Sequence, residues 1–122
     1  MSITDPSFLA MLELQRADYR RALPERLAQI ELLWHRVLTG DGAAHALATL
    51  ERCAHSLAGS GATFNCASAG NAARELELAV ASLPHSACDL SAGTRLDIHL
   101  AIELLRRSLP GDSSRPGDQI RA

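Results

Sequence analysis

The chain contains no lysine at all, so its 12 basic residues are all arginine, set against 14 acidic residues for a net charge of -2. That balance excludes a polybasic surface for nucleic acid or anionic lipid. It also excludes a phosphate-binding loop, which needs a lysine at its end, even though Gly59-Ser60-Gly61 has the glycine content of one. Without an ATP site the chain is expected not to phosphorylate itself. Aromatic residues make up only 3% of the sequence and β-branched residues are few, which disfavours a sheet. No run of 18 apolar residues occurs, and the N-terminus lacks a basic region followed by an apolar core. The expectation is a cytoplasmic protein with no membrane contact. Three cysteines, Cys53, Cys66 and Cys88, form no C-x-x-C pair and read as reduced thiols.

What is abundant is alanine and leucine, together about a third of the 122 residues. Both lose little side-chain freedom in a helix, so the composition points to an all-α protein. The length suits one domain with one core. Asp5-Pro6 reads as a helix cap followed by proline at the first helical position, opening a short helix through Phe8, Leu9 and Leu12 towards Tyr19. Pro24 then starts or kinks a second helix, with the stripe Leu23, Leu27, Ile30, Trp34, Val37 and Leu38, ended by Gly40-Asp41-Gly42. A third helix spans roughly 43–62, with Asp41 as its candidate cap. A corner at 63–65 leads to a fourth over roughly 66–83. After a loop beginning at Pro84, Thr94 is the candidate cap of a last helix carrying Ile98, Ile102, Leu105 and Leu109. The expected architecture is an up-down-up-down four-helix bundle over residues 1–109 with a short extra N-terminal helix covering one end. Residues 110–122 have no apolar period and are expected to be disordered.

The third helix carries the most informative residues. Its apolar centre lies near Leu47, Leu50, Ala54 and Leu57, and at about 100° per residue His55 falls roughly 130° from that centre, on a solvent-facing flank. Gly59, four residues on, shares that flank, as do Ala48, Arg52 and Ala62, so the histidine is surrounded by small residues and one cation. Another protein's active site could reach an imidazole so placed.

Read on through Gly61, Phe64 and the segment Asn71-Ala72-Ala73-Arg74-Glu75-Leu76-Glu77, the stretch from Ala54 resembles the signature of histidine phosphotransfer (HPt) domains. That pattern runs H-x-L-K-G, then a glycine, a leucine and L-E. His55, Leu57, Gly59, Phe64, Leu76 and Glu77 fall where it wants their types. Ala58 replaces its lysine, Asn65 its second glycine and Ala69 its leucine. An asparagine tolerates the left-handed corner that a glycine would make.

The resemblance implies a non-enzymatic carrier that accepts a phosphoryl group on His55 from a receiver aspartate or a kinase and passes it to another receiver. Its implied partners are response-regulator receiver domains and a hybrid sensor histidine kinase, and the chain itself is expected to be a monomer. Metal is expected in the partner receiver, as Mg²⁺, with no cofactor held here. Glu77 matches the family's glutamate that hydrogen-bonds the second imidazole nitrogen. Such a bond fixes the tautomer and leaves Nε2 as the nucleophile. Gly59, Ala48, Arg52 and Ala62 are the implied docking surface, and Arg74, or Arg52, is the candidate replacement for the missing lysine. The alternative is a helical module that binds a kinase or receiver without transfer.

Carboxylate-histidine pairs at Glu31/His35 and Glu51/His55 invite a di-metal bundle, but their spacing is wider than Glu-x-x-His and they flank their apolar stripes. His85 and Cys88 are two ligands short of a metal site. Neither is expected to bind metal.

Overall fold

The computed structural model describes residues 5–83 and 90–109. Residues 84–89, with His85 and Cys88, where a loop was expected, and residues 110–122, expected to be disordered, lie outside the described residues. Among the described residues four helices follow one another: α1 (Pro6–Thr39), α2 (Ala43–Thr63), α3 (Ala67–Ala81) and α4 (Ala92–Ser108). Each packs beside the next in sequence, and α1 and α4 also touch, less extensively than the sequential pairs. The chain is an all-α helical bundle, and no strand occurs among the described residues.

Asp5 caps α1 as its sequence suggests, its carboxylate accepting the Ser7 N–H at 3.0 Å, with Pro6 at the first helical position. The short N-terminal helix is not separate, however. Its residues form the opening turns of α1, which continues through Pro24 to a length of 34 residues. Pro24 is exposed, so the carbonyl of Arg20 that it leaves without a donor lies on the solvent side of the helix. The buried side runs unbroken past it through Tyr19, Leu23, Leu27, Ile30, Leu33, Trp34 and Val37. Packing of that continuous stripe outweighs the lost hydrogen bond. Leu33, which the sequence pattern left out of the stripe, is buried, and Leu38, which it included, is exposed.

Two caps differ from the sequence expectation. Asp41 does not cap α2: its N–H closes α1 by bonding to the Arg36 carbonyl at 3.0 Å, and Gly42 takes the cap position with no side chain to offer. Gly40 and Gly42, at φ 80° and 61°, both adopt the left-handed backbone that this tight turn requires. Ser91, not Thr94, caps α4; its Oγ accepts the Thr94 N–H at 3.1 Å.

Leu23, Ile30, Leu50, Leu57, Leu76, Ile98 and Leu105 form the fully buried centre, and no polar or charged side chain is buried among the described residues. Tyr19 ties α1 to the α2–α3 corner. Its ring stacks on Phe64 with centroids 4.7 Å apart, and its hydroxyl shares a 2.7 Å hydrogen bond with Ser60. At the opposite side Arg106 of α4 bonds Glu31 of α1 and Glu103, and the Glu31 hydrogen bond holds its guanidinium pKa above the usual arginine value.

Candidate functional site

The α2 residues Leu47, Leu50, Ala54, Leu57, Ala58 and Gly61 face the core, which leaves His55 pointing outward with 76% of its side chain exposed. On α3 the buried residues Ala69, Gly70, Ala72, Ala73, Leu76 and Val80 put Glu77 on the flank beside α2. There His55 Nδ1 and Glu77 Oε2 lie 2.6 Å apart. An ionised carboxylate can only accept, so the ring carries its proton on Nδ1. Nε2 of the neutral ring is then the bare, outward-facing nitrogen.

Small residues bring the two helices close enough for this contact. A Cβ built on Gly61 would meet Gly70 Cα at 2.6 Å and the Cys66 carbonyl oxygen at 3.0 Å. The two backbones therefore touch about one and a half turns from His55. Asn65 makes the corner between α2 and α3 at φ 62°, the one non-glycine residue with positive φ among those described. The Cys66 N–H closes the corner on the Gly61 carbonyl at 2.7 Å. The sequence reading missed the Gly61–Gly70 crossing. Its signal is the run of small residues shared by the two helices: Ala54, Ala58 and Gly61 against Ala69, Gly70 and Ala73.

The tract Gly59-Ser60-Gly61 divides into three separate roles. Gly59 is exposed, and a Cβ there would meet nothing within 4 Å. Ser60 bonds Tyr19, and Gly61 makes the crossing. None of the three forms a phosphate cradle.

Ala48, Arg52, Gly59 and Ala62 are all exposed along α2 on the His55 side. Ala48 lies two turns before His55 and lines a shallow groove of about 220 Å³ with Ala44, Glu51, Ala81 and Leu83. The Arg52 guanidinium donates to Thr49 Oγ1 at 3.1 Å, which draws it back along its own helix. Arg74 is exposed and makes no ion pair among the described residues. The antiparallel register that brings His55 level with Glu77 and Gly61 level with Gly70 sets Arg74 level with Ala58. Ala58 itself is buried against α3.

The two carboxylate-histidine pairs are not used along their own helices. Glu31 is taken up by Arg106 of α4, and His55 pairs with Glu77 across the bundle in place of Glu51. No group of three or more potential metal ligands occurs among the described residues. None of the described helices is long and apolar enough to cross a membrane.

No individual curated protein and no solved structure gives a significant match to the chain. The sequence profile of one family, described as "Hpt domain", matches residues 16–108, a span that takes in the whole of α2, α3 and α4 and most of α1. Members of this family are phosphotransfer carriers, not turnover enzymes, and they interact with receiver domains and kinases. With three quarters of its length inside that match, the chain belongs to the Hpt domain family of two-component phosphotransfer.

Proposed function

We propose that His55 is the phosphoacceptor and that the chain relays a phosphoryl group between receiver domains, with a hybrid sensor kinase upstream. The observation that carries this reading is the pairing of Nδ1 with Glu77, which leaves Nε2 exposed on a face of small residues. In the forward step Nε2 attacks the phosphorus of an aspartyl phosphate in line. The N–P bond forms as the P–O bond to the aspartate breaks, and the aspartate leaves as a free carboxylate. The ring becomes an N-phosphorylated imidazolium, and the Glu77 carboxylate opposite Nδ1 offsets the positive charge that develops there. The Mg²⁺ that neutralises the transferring oxygens belongs to the receiver. Transfer onward is the same step reversed.

Gly59, Ala48, Arg52 and Ala62 provide the docking face. Its low profile lets a receiver bring its aspartate to near-attack distance. Arg74, without an ion pair among the described residues and level with Ala58, supplies the cation that the family pattern places at residue 58 as lysine. Absence of that lysine favours a second reading, in which the bundle binds a receiver or kinase without transfer.

The test is to incubate the protein with a panel of receivers carrying labelled aspartyl phosphate. Acid-labile label is expected on the wild type and absent from His55→Gln, with helicity unchanged by circular dichroism. Label persisting on His55→Gln rules out His55 as the acceptor. Stable complex formation without label favours the binding module. The protein alone with ATP and Mg²⁺ is expected to take no label.

A further inference from the structure

The outer face of α4 carries an exposed leucine stripe that phosphotransfer does not use. Leu96, Leu100 and Leu104 are 54%, 55% and 50% exposed, and Leu78 of α3 beside them is 58% exposed. Leu78, Leu100 and Leu104 line one groove between α3 and α4 of about 480 Å³, and Leu104 continues into a second of about 410 Å³. Asp97 lines the first groove, Arg107 the second and the exposed Glu75 of α3 both, so along α4 itself the leucines lie between an acid at one end and a base at the other. Together the four leucines expose on the order of 400 Å², within the range of the largest apolar patch on a monomer, which is often functional. That is about half of the roughly 800 Å² per partner that a standard interface buries, a proportion suited to an apolar centre with a polar rim.

Along this face the spacing of the residues is the same from both ends, and the two end residues are opposite in charge. Asp97, Leu100, Leu104 and Arg107 are spaced three, four and three apart, which is the heptad spacing of a helix that packs against another helix. Turned about a two-fold axis midway between Leu100 and Leu104, a second copy brings its Leu104 to Leu100 and its Arg107 to Asp97. The two-fold repeats both pairs. Asp97 has no ion pair among the described residues, and Arg107 has only a 3.7 Å contact to Glu103, which already bonds Arg106. Both charges are thus available to a partner.

We infer that the protein forms an antiparallel homodimer through the outer face of α4, with leucine pairs at its centre and Asp97 facing the partner's Arg107 at each end. This replaces the monomer expected from the sequence. On α3 the groove residues Glu75, Leu78 and Ala79 lie roughly 100–160° around the helix from Glu77. The dimer therefore leaves both His55 faces free, and its existence does not depend on the function proposed for His55.

Sedimentation equilibrium of the full chain is expected to give twice the 13.0 kDa monomer mass. Leu100→Glu should give a monomer with unchanged helical content, since the side chain it replaces is half exposed. Asp97→Arg and Arg107→Asp place like charges opposite each other, and each alone should weaken the dimer at least about ten-fold. Mixing these two variants makes every cross-pair opposite in sign and should restore dimerisation as a heterodimer. A wild type that stays monomeric up to about 100 μM overturns the proposal. So does a dimer unaffected by Leu100→Glu, or a mixture that associates no better than its components.

Discussion

Gly61 and Gly70 meet backbone to backbone where α2 crosses α3, so closely that a methyl group on Gly61 would stand 2.6 Å from Gly70 Cα. The obstructing atoms are main chain on a neighbouring helix, which cannot rotate aside. Six residues along α2, about 9 Å away, the same approach lets Glu77 reach His55.

Gly61→Ala is therefore expected to cost about 1–3 kcal/mol, the usual range for overpacking. By moving α3 outward it should also slow phosphotransfer. Gly59→Ala, two residues earlier on the same helix, meets open space and should be neutral or stabilise by up to about 1 kcal/mol through helix propensity. Urea denaturation of the two variants side by side checks the contrast. Equal stabilities would mean that the helices can separate without penalty.

Gly59→Gln tests the docking face. The space above Gly59 is empty, so the bundle should stay folded with an unchanged or raised melting temperature. The side chain would project one turn from His55 into the volume a receiver must enter. A displacement of about 1 Å can cost a hundred-fold in rate. Transfer should fall by about that much, as measured by single-turnover labelling; unimpaired transfer would place receiver docking on another face.

Glu77→Ala should slow phosphotransfer by about ten- to a hundred-fold, the lower part of the range for groups that position or exchange protons. Stability should change little, since Glu77 touches an exposed ring and supports no core residue. Glu77→Gln keeps an acceptor for the Nδ1 proton but removes the negative charge, and is expected to lie between the two. A rate equal to wild type in Glu77→Ala would reduce the contact to a surface hydrogen bond.

At the α2–α3 corner, Asn65 is held at φ 62°. Asn65→Gly should be neutral or slightly stabilising. Asn65→Val should cost on the order of 1–2 kcal/mol, because a β-branched residue fits the left-handed region poorly. Thermal melts read both, and equal melting temperatures would mean that the corner relaxes to another backbone conformation.

The outward position of His55 and Gly59 was legible in the sequence because helical periodicity is a local property. Leu47, Leu50, Ala54 and Leu57 fix one face of α2, and His55 and Gly59 must then occupy the opposite flank. The cap at Asp5 was legible for the same reason, being set by neighbouring residues, whereas the left-handed Asn65 was expected because the family pattern places glycine there. Boundaries were less so. Asp41, Gly42, Ser91 and Thr94 are all plausible caps by type, and a shift of one residue decides which hydrogen bond forms.

Sequence alone determined the helical class and the outward-facing histidine, since both follow from residue type and a 3.6-residue period, and it pointed to the family through the resemblance of the His55–Glu77 segment to a known motif. Tertiary structure decided the rest. Whether Pro24 breaks α1 depended on packing of Tyr19, Leu23 and Leu27 against other helices, an energy that no local propensity contains. That Glu77 reaches His55, and that Arg74 stands level with Ala58, depended on the crossing point of two helices, set by Gly61 against Gly70. The leucines of α4 are apolar in any reading, but only the assembled bundle leaves Leu100 and Leu104 outside while burying Ile98, Ile102 and Leu105, because a helix face is covered or bare according to its neighbours in space.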